Sequence, residues 1–272
     1  MRRALVVSLA VSALAAAAAI GASAGAYGAS AVPATSAAPG DADYSWAKRV
    51  AAAKRFAAHR QGEAAFAVVD EEGRARAFHP NERFESASVI KVMLMLAYLR
   101  QGDVSDRPLT DADKHLLAPM IKRSANEPAS AIYEQVGARA LYELARKVGM
   151  KGFSTNPVWG SSQITALGQA KLLFEVERFI PDRHRSYGMH LLASIIPAQR
   201  WGIPAAVPHG FKIHFKGGWA PEAAGWKINQ VALMTNGERR ISLAVLTRGN
   251  PSQGYGHGTV RGVAERLLNG YG

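Results

Sequence analysis

The thirteen residues SVIKVMLMLAYLR (88–100) constrain the chain more than any others. They are apolar nearly all round, so a helix built from them has no face for water and must lie inside a core. Yet the segment opens with Ser88 and Lys91, three residues apart and therefore on one helical face. Serine is a weak nucleophile that needs a base beside it. A lysine in apolar surroundings holds its proton weakly and can serve as that base. The spacing alone is a weak signal, because Ser45 and Lys48 repeat it in an unremarkable setting. Lys91 could equally snorkel from the first turn to solvent.

The rest of the chain supplies the frame. YSWAKRVAAAKRFAAH (44–59) places Trp46, Val50, Ala53 and Phe56 on one helical face. AAFAVVD (64–70) and RARAFH (74–79) flank the turn Glu71-Glu72-Gly73 and read as a hairpin. Helices are expected at 110–121, 127–136, 138–148, 166–179 and 187–196, with Gly149, Gly152, Pro157 and Gly160 marking a loop. FKIHFK (211–216), INQVALMT (228–235) and RISLAVLT (240–247) are strands, the last two joined by the hairpin signal Asn236-Gly237. TVRGVAERLL (259–268) closes as a helix. The expected class is α+β: a five-stranded antiparallel sheet flanked by helices, with an inserted all-helical lobe. The sheet lobe would comprise residues 44–87 and 205–272, and the helical lobe residues 88–204.

Residues 1–30 carry Arg2 and Arg3, an alanine-rich apolar run and small residues, the pattern of a signal peptide. An uncleaved anchor is the rival, although the run is barely long enough to span and alanine partitions weakly. Residues 31–43 are small, polar and proline-containing, a disordered lead-in. An exported protein, secreted or held at the cell envelope, is expected. With no cysteine there is neither a disulfide framework nor a thiolate metal site. The eight histidines are dispersed without an H-E-x-x-H, so no metal and no other cofactor is expected. A formal charge of +12 is spread along the chain without a basic run. That points away from nucleic acid and toward contact with an anionic envelope, or simply a solvated basic surface.

Two further motifs follow in order. MIKRSANEPAS contains Ser124-Ala125-Asn126, and FKIHFKGGW contains Lys216-Gly217-Gly218. S-x-x-K, then S-x-N, then K-[ST]-G is the set found in penicillin-recognising serine enzymes. Over residues 44–272 the chain resembles the superfamily of class A β-lactamases and penicillin-binding proteins, and Phe84 ahead of Ser88 also fits. The resemblance implies that Ser88 forms an acyl-enzyme with Lys91 as base. It implies that Ser124 relays a proton to the leaving nitrogen. Asn126 would bind the substrate amide and help hold Lys91, and Lys216 would attract the substrate carboxylate. The N–H groups of Ser88 and Trp219 would form the oxyanion hole, next to Gly218. Taken singly, Ser124 reads as a helix cap before Glu127, Asn126 as a turn residue and Lys216 as a solvated strand end.

Three departures stand out. Ala125 replaces the aspartate of S-D-N. Gly217 replaces the hydroxyl residue of K-[ST]-G, which in the family contacts the substrate carboxylate. Residues 151–174 contain no Asp or Glu, whereas class A enzymes place there the glutamate that activates the deacylating water; Gln163 can orient a water but not take its proton. The expectation is therefore a monomeric, exported serine hydrolase acting on a β-lactam or a peptidoglycan peptide, with slow loss of a β-lactam-derived acyl group. A D-alanyl peptidase or other wall acyl hydrolase, and a non-catalytic wall-binding protein, are the alternatives. Lys212 and His214 share a strand face with Lys216, and Trp219, Trp226 and Tyr255 are open between cleft and core.

Overall fold

The computed structural model describes residues 44–271; the expected signal peptide and lead-in lie outside the described residues. The chain opens with helix α1 (Trp46–Ala58), whose buried stripe is Val50, Ala53 and Ala57. Ser45 accepts a hydrogen bond from the Lys48 N–H as the N-cap of α1, so the second S-x-x-K is a capping feature. Strands β1 (Glu63–Val69) and β2 (Ala75–Phe78) then form the expected hairpin.

The two-residue strand β3 (Phe84–Glu85) leads into a 3₁₀ turn over Ala87–Ile90 and then helix α2 (Lys91–Leu99). All nine residues of α2 are buried, as its composition requires. Its polar end is satisfied: Tyr98 donates to Asp113 at 2.7 Å, and Asp113 also pairs with Arg107 and closes a capping box with Thr110. Short helix α3 (Gly102–Ser105) is followed by α4 (Asp111–Lys122) and α5 (Asn126–Val148), which both pack on α2. The two helices expected at 127–148 are the two halves of α5, separated by Gly137 at φ 68°. Strand β4 (Gln163–Ile164) pairs with β3. Helix α6 (Ala166–Phe174) ends earlier than expected, and a 3₁₀ turn continues it over Val176–Phe179. Helix α7 (Asp182–Ala193) starts five residues ahead of the expected Tyr187, because Pro181 and Asp182 open it in a polar first turn.

Strands β5 (Lys212–Glu222), β6 (Gly225–Asn236) and β7 (Arg239–Asn250) precede the final helix α8 (Gln253–Leu268). The sheet order is β2-β1-β7-β6-β5, antiparallel throughout. α1 and α8 pack together against it, while α6 packs on β7, β1 and β6. Covered on both sides, β1 is buried from Ala64 to Val69, which is why it reads as a continuous apolar run. β5 extends six residues past Lys216, so Lys216-Gly217-Gly218 lies inside a strand and not at its end. The paired glycines imitate a strand terminus in the sequence, but pairing with β6 continues to Glu222. α8 begins six residues early for a related reason: Gly254, Gly256 and Gly258 disguise its first turns, which Ser252 caps. Among the described residues no helix is long and apolar enough to cross a membrane.

Gly256 seats α8 on the sheet. A Cβ there would stand 2.3 Å from Ile228 Cγ1 and 2.9 Å from Ile228 Cβ. Gly256→Ala should therefore cost about 1–3 kcal/mol in chemical denaturation, through overpacking of a close-packed contact.

Candidate active site

The site forms where the turn before α2, the start of α5 and the edge strand β5 meet. Ser88 lies half-buried in the turn Ala87–Ile90, and Lys91 is the first residue of α2. Side chains three apart eclipse in a 3₁₀ turn, which keeps the two on one side. The turn is anchored on both flanks. Ser86 N–H donates to Ser162 O at 2.8 Å, and Asn229 Nδ2 donates to Glu85 O at 2.8 Å. Ala87 has φ 44° and Ser124 has φ 60°, two non-glycine residues in the left-handed region beside the same site. Each such backbone costs on the order of 1–2 kcal/mol and persists only where its surroundings enforce it.

Lys91 is fully buried. Its Nζ donates to Ser124 O at 2.5 Å and to Asn126 Oδ1 at 2.8 Å, with Ser124 Oγ at 3.4 Å. Lys216, also fully buried, donates to the same Ser124 Oγ at 2.9 Å and to Gly217 O at 2.7 Å. Among the described residues neither lysine pairs with a carboxylate. Burial lowers the Lys91 pKa to about 7. Burial, and then the charge of Lys91, hold Lys216 well below the ordinary lysine value. Ser88 Oγ makes no hydrogen bond among the described residues, so its link to Lys91 is position on the turn. Nor is any group of three histidines or carboxylates there able to hold a metal ion.

The structure thus joins Lys91, Ser124, Asn126 and Lys216 in one hydrogen-bonded set. Ser124 is not the cap of α5: Ala125 holds that position, without a side-chain bond. Lys216 is not a solvated strand end, because its head is turned inward to Ser124. Gly218 sets the distance between β5 and the Ser88 turn. A Cβ there would lie 2.7 Å from Ser88 N, 2.8 Å from Val89 N and 3.0 Å from Ser86 O. Trp219 is half-buried next in the strand.

The residues that the sequence left open do not converge on this set. Lys212 is exposed, and His214 is half-buried, its Nδ1 without a partner among the described residues. Tyr255 belongs to the α1–α8 contact, where its hydroxyl accepts from Gln61 N–H and Arg60 lies 3.7 Å above its ring. Trp226 lies beside the turn of the β5–β6 hairpin, opposite Pro221, its carbonyl bonded to Asn250. Gln163 turns its amide to Ser161 O at 3.2 Å. Two aromatic residues were not visible as site residues in the sequence. Trp159 places its ring centroid 4.9 Å from Lys91 Nζ and donates Nε1 to Ser130 Oγ. Trp201 packs on Gly217. Neither carries a motif; the missing carboxylate in residues 151–174 was the sole hint that something else fills the loop.

No family model and no curated protein sequence matches the chain. Solved structures do. A β-lactamase from Sphaerobacter thermophilus superposes with a TM-score of 0.70 at 19% identity, over 83% of this chain and 97% of that one. The fold is that of the class A β-lactamases. A β-lactamase from Chitinophaga pinensis gives 0.71 at 14% identity over 82% and 99% of the two chains. One from Xanthomonas campestris gives 0.69 at 17% over 84% and 97%. The likeness in fold therefore holds at very low identity.

Two outcomes follow from the geometry. Gly218→Ala drives a methyl group against the backbone of the Ser88 turn, so any reactivity of Ser88 toward a fluorophosphonate should fall by about 10²-fold or more while far-ultraviolet dichroism stays unchanged. Lys91 has a folded pKa of about 7 against 10.5 for an unperturbed lysine. Between those values the unfolded chain binds the extra proton, so this group makes stability rise with pH from 7 toward 10.5. Lys91→Met should reduce that slope and raise Tm at pH 7, as read from melts across the same range.

Proposed function

We propose that the protein is a serine hydrolase that forms an acyl-enzyme on Ser88 with β-lactams or cell-wall peptides, and releases a β-lactam-derived acyl group slowly. The observation that carries this reading is the meeting of two buried, carboxylate-free lysines on Ser124, one of which, Lys91, follows Ser88 by three residues. A lysine with a pKa of about 7 is uncharged in a large fraction of molecules at neutral pH, and so can accept a proton.

In this mechanism neutral Lys91 takes the Ser88 proton as Oγ attacks the carbonyl carbon. The developing oxyanion is held by the Ser88 and Trp219 N–H groups. Ser124, poised by Lys216, passes a proton to the departing nitrogen, while Asn126 holds Lys91 and the substrate amide. The second half-reaction lacks a visible base. Residues 151–174 have no carboxylate, and the loop presents Trp159 to Lys91 instead. The reading includes export through the leader expected at residues 1–30, which puts the site among wall peptides.

A fluorophosphonate and benzylpenicillin, followed by intact-mass spectrometry, test it. Both should add one adduct to the wild type and none to Ser88→Ala. The penicilloyl adduct should persist, with little nitrocefin turnover. The labelling rate should rise with pH through about 7, and Lys91→Arg should lose about 10²–10⁴-fold. Equal labelling of Ser88→Ala would leave only a non-catalytic wall-binding protein. Fast turnover with no adduct would refute slow deacylation.

A further inference from the structure

Trp201 crowds the space that a side chain at position 217 would take. A Cβ on Gly217 would lie 3.0 Å from Trp201 Cζ2 and 3.2 Å from Cη2. The indole is held there from several directions. It stacks on His257 with centroids 4.0 Å apart and planes 11° from parallel, and Trp219 meets it edge-on at 6.0 Å. Its backbone is pinned by Gln230, the residue opposite Gly217 in the β5–β6 register. Fully buried, Gln230 donates Nε2 to Trp201 O at 2.8 Å and accepts from Ile203 N–H at 2.6 Å. Gly202 makes the turn between them at φ 70°, where a Cβ would sit 2.4 Å from Gln230 Oε1. The two bonds of the buried amide fix the backbone that carries the ring, and His257 and Trp219 pack against the ring itself.

The neighbouring lysine does not offer an anion site in its place. Lys216 is fully buried, with Nζ committed to Gly217 O and Ser124 Oγ. A carboxylate brought to this end of the cleft would give up its water for aromatic carbon, with no hydroxyl at 217 to receive it. An anion desolvated without a partner is strongly disfavoured, whereas an amide or ester group is not.

We infer that Ser88 prefers acyl donors that are uncharged on the leaving-group side, and that Trp201 sets this preference. The inference rests on the proposed acylation of Ser88 and narrows its substrate class. Peptide amides inside a longer or amidated chain fit; those that end in a free carboxylate do not. In the step itself the Ser88 Oγ–carbon bond forms, the carbon–nitrogen bond breaks, and the serine proton ends on the leaving nitrogen.

Benzylpenicillin and its methyl ester differ only in that carboxylate and make a matched pair. Wild-type protein should acylate at Ser88 faster with the ester, by about tenfold or more in second-order rate. Trp201→Ala should reduce that ratio by a similar factor by speeding the acid, and Trp201→Phe should leave it nearly unchanged. The wild-type ratio needs no variant, so a misfolded Trp201→Ala would not remove the test. A wild-type preference for the free acid, or a ratio that Trp201→Ala leaves unmoved in folded protein, overturns the inference. If neither penicillin reacts but a fluorophosphonate still labels Ser88, the inference falls and the nucleophile stands. If the fluorophosphonate fails as well, both fall.

Discussion

Two ammonium groups cannot share one buried hydroxyl while both remain charged, unless something negative lies beside them. Lys91 and Lys216 do meet on Ser124 Oγ, both fully buried and without a carboxylate partner among the described residues. Burial lowers the pKa of both lysines, that of Lys91 to about 7, so a large fraction of Lys91 is uncharged at neutral pH. Around this point the architecture is easy to understand. α2 must be apolar on every side to desolvate Lys91. α5 must begin with Asn126 to hold the amine, and β5 must carry a second lysine inward from the sheet. The arrangement works against stability, as sites tuned for chemistry commonly do.

Bringing a strand and a turn so close places its own demands on the backbone. Gly218 is the residue at which β5 and the amides of Ser88 and Val89 come nearest, and no side chain fits there. Ala87 and Ser124 adopt left-handed backbones on either side of the same gap. Such positions are held by packing, here by the anchors that β3, β4 and β6 supply to the Ser88 turn. The sheet thus acts as the ruler that sets how closely β5 approaches the Ser88 turn.

Much of this was readable in the residues, and the failures have physical causes. The all-apolar α2, the β1–β2 hairpin and the Asn236-Gly237 turn follow from local pattern and appear as expected. Ser124, Asn126 and Lys216 each had an ordinary structural reading, and their order along the chain pointed instead to a shared site. Strand β5 and helix α8 were read short because glycine, usually a terminator, is used there for close approach. Trp159 and Trp201 were invisible as site residues because an aromatic in a loop has no spacing rule. What places them is a long-range contact, Ser130 for one and Gln230 for the other.

The contact between Gly217 and Trp201 also bears on how such a chain can change over generations. A hydroxyl-bearing side chain at 217 would press tightly on an indole whose backbone is tied into the sheet through Gln230. Removing the indole first would leave His257 and Trp219 without their partner. Neither order of events passes through a well-packed intermediate. Positions 217 and 201 are therefore coupled: a change at either one alone leaves a tight contact or a gap that only a change at the other relieves.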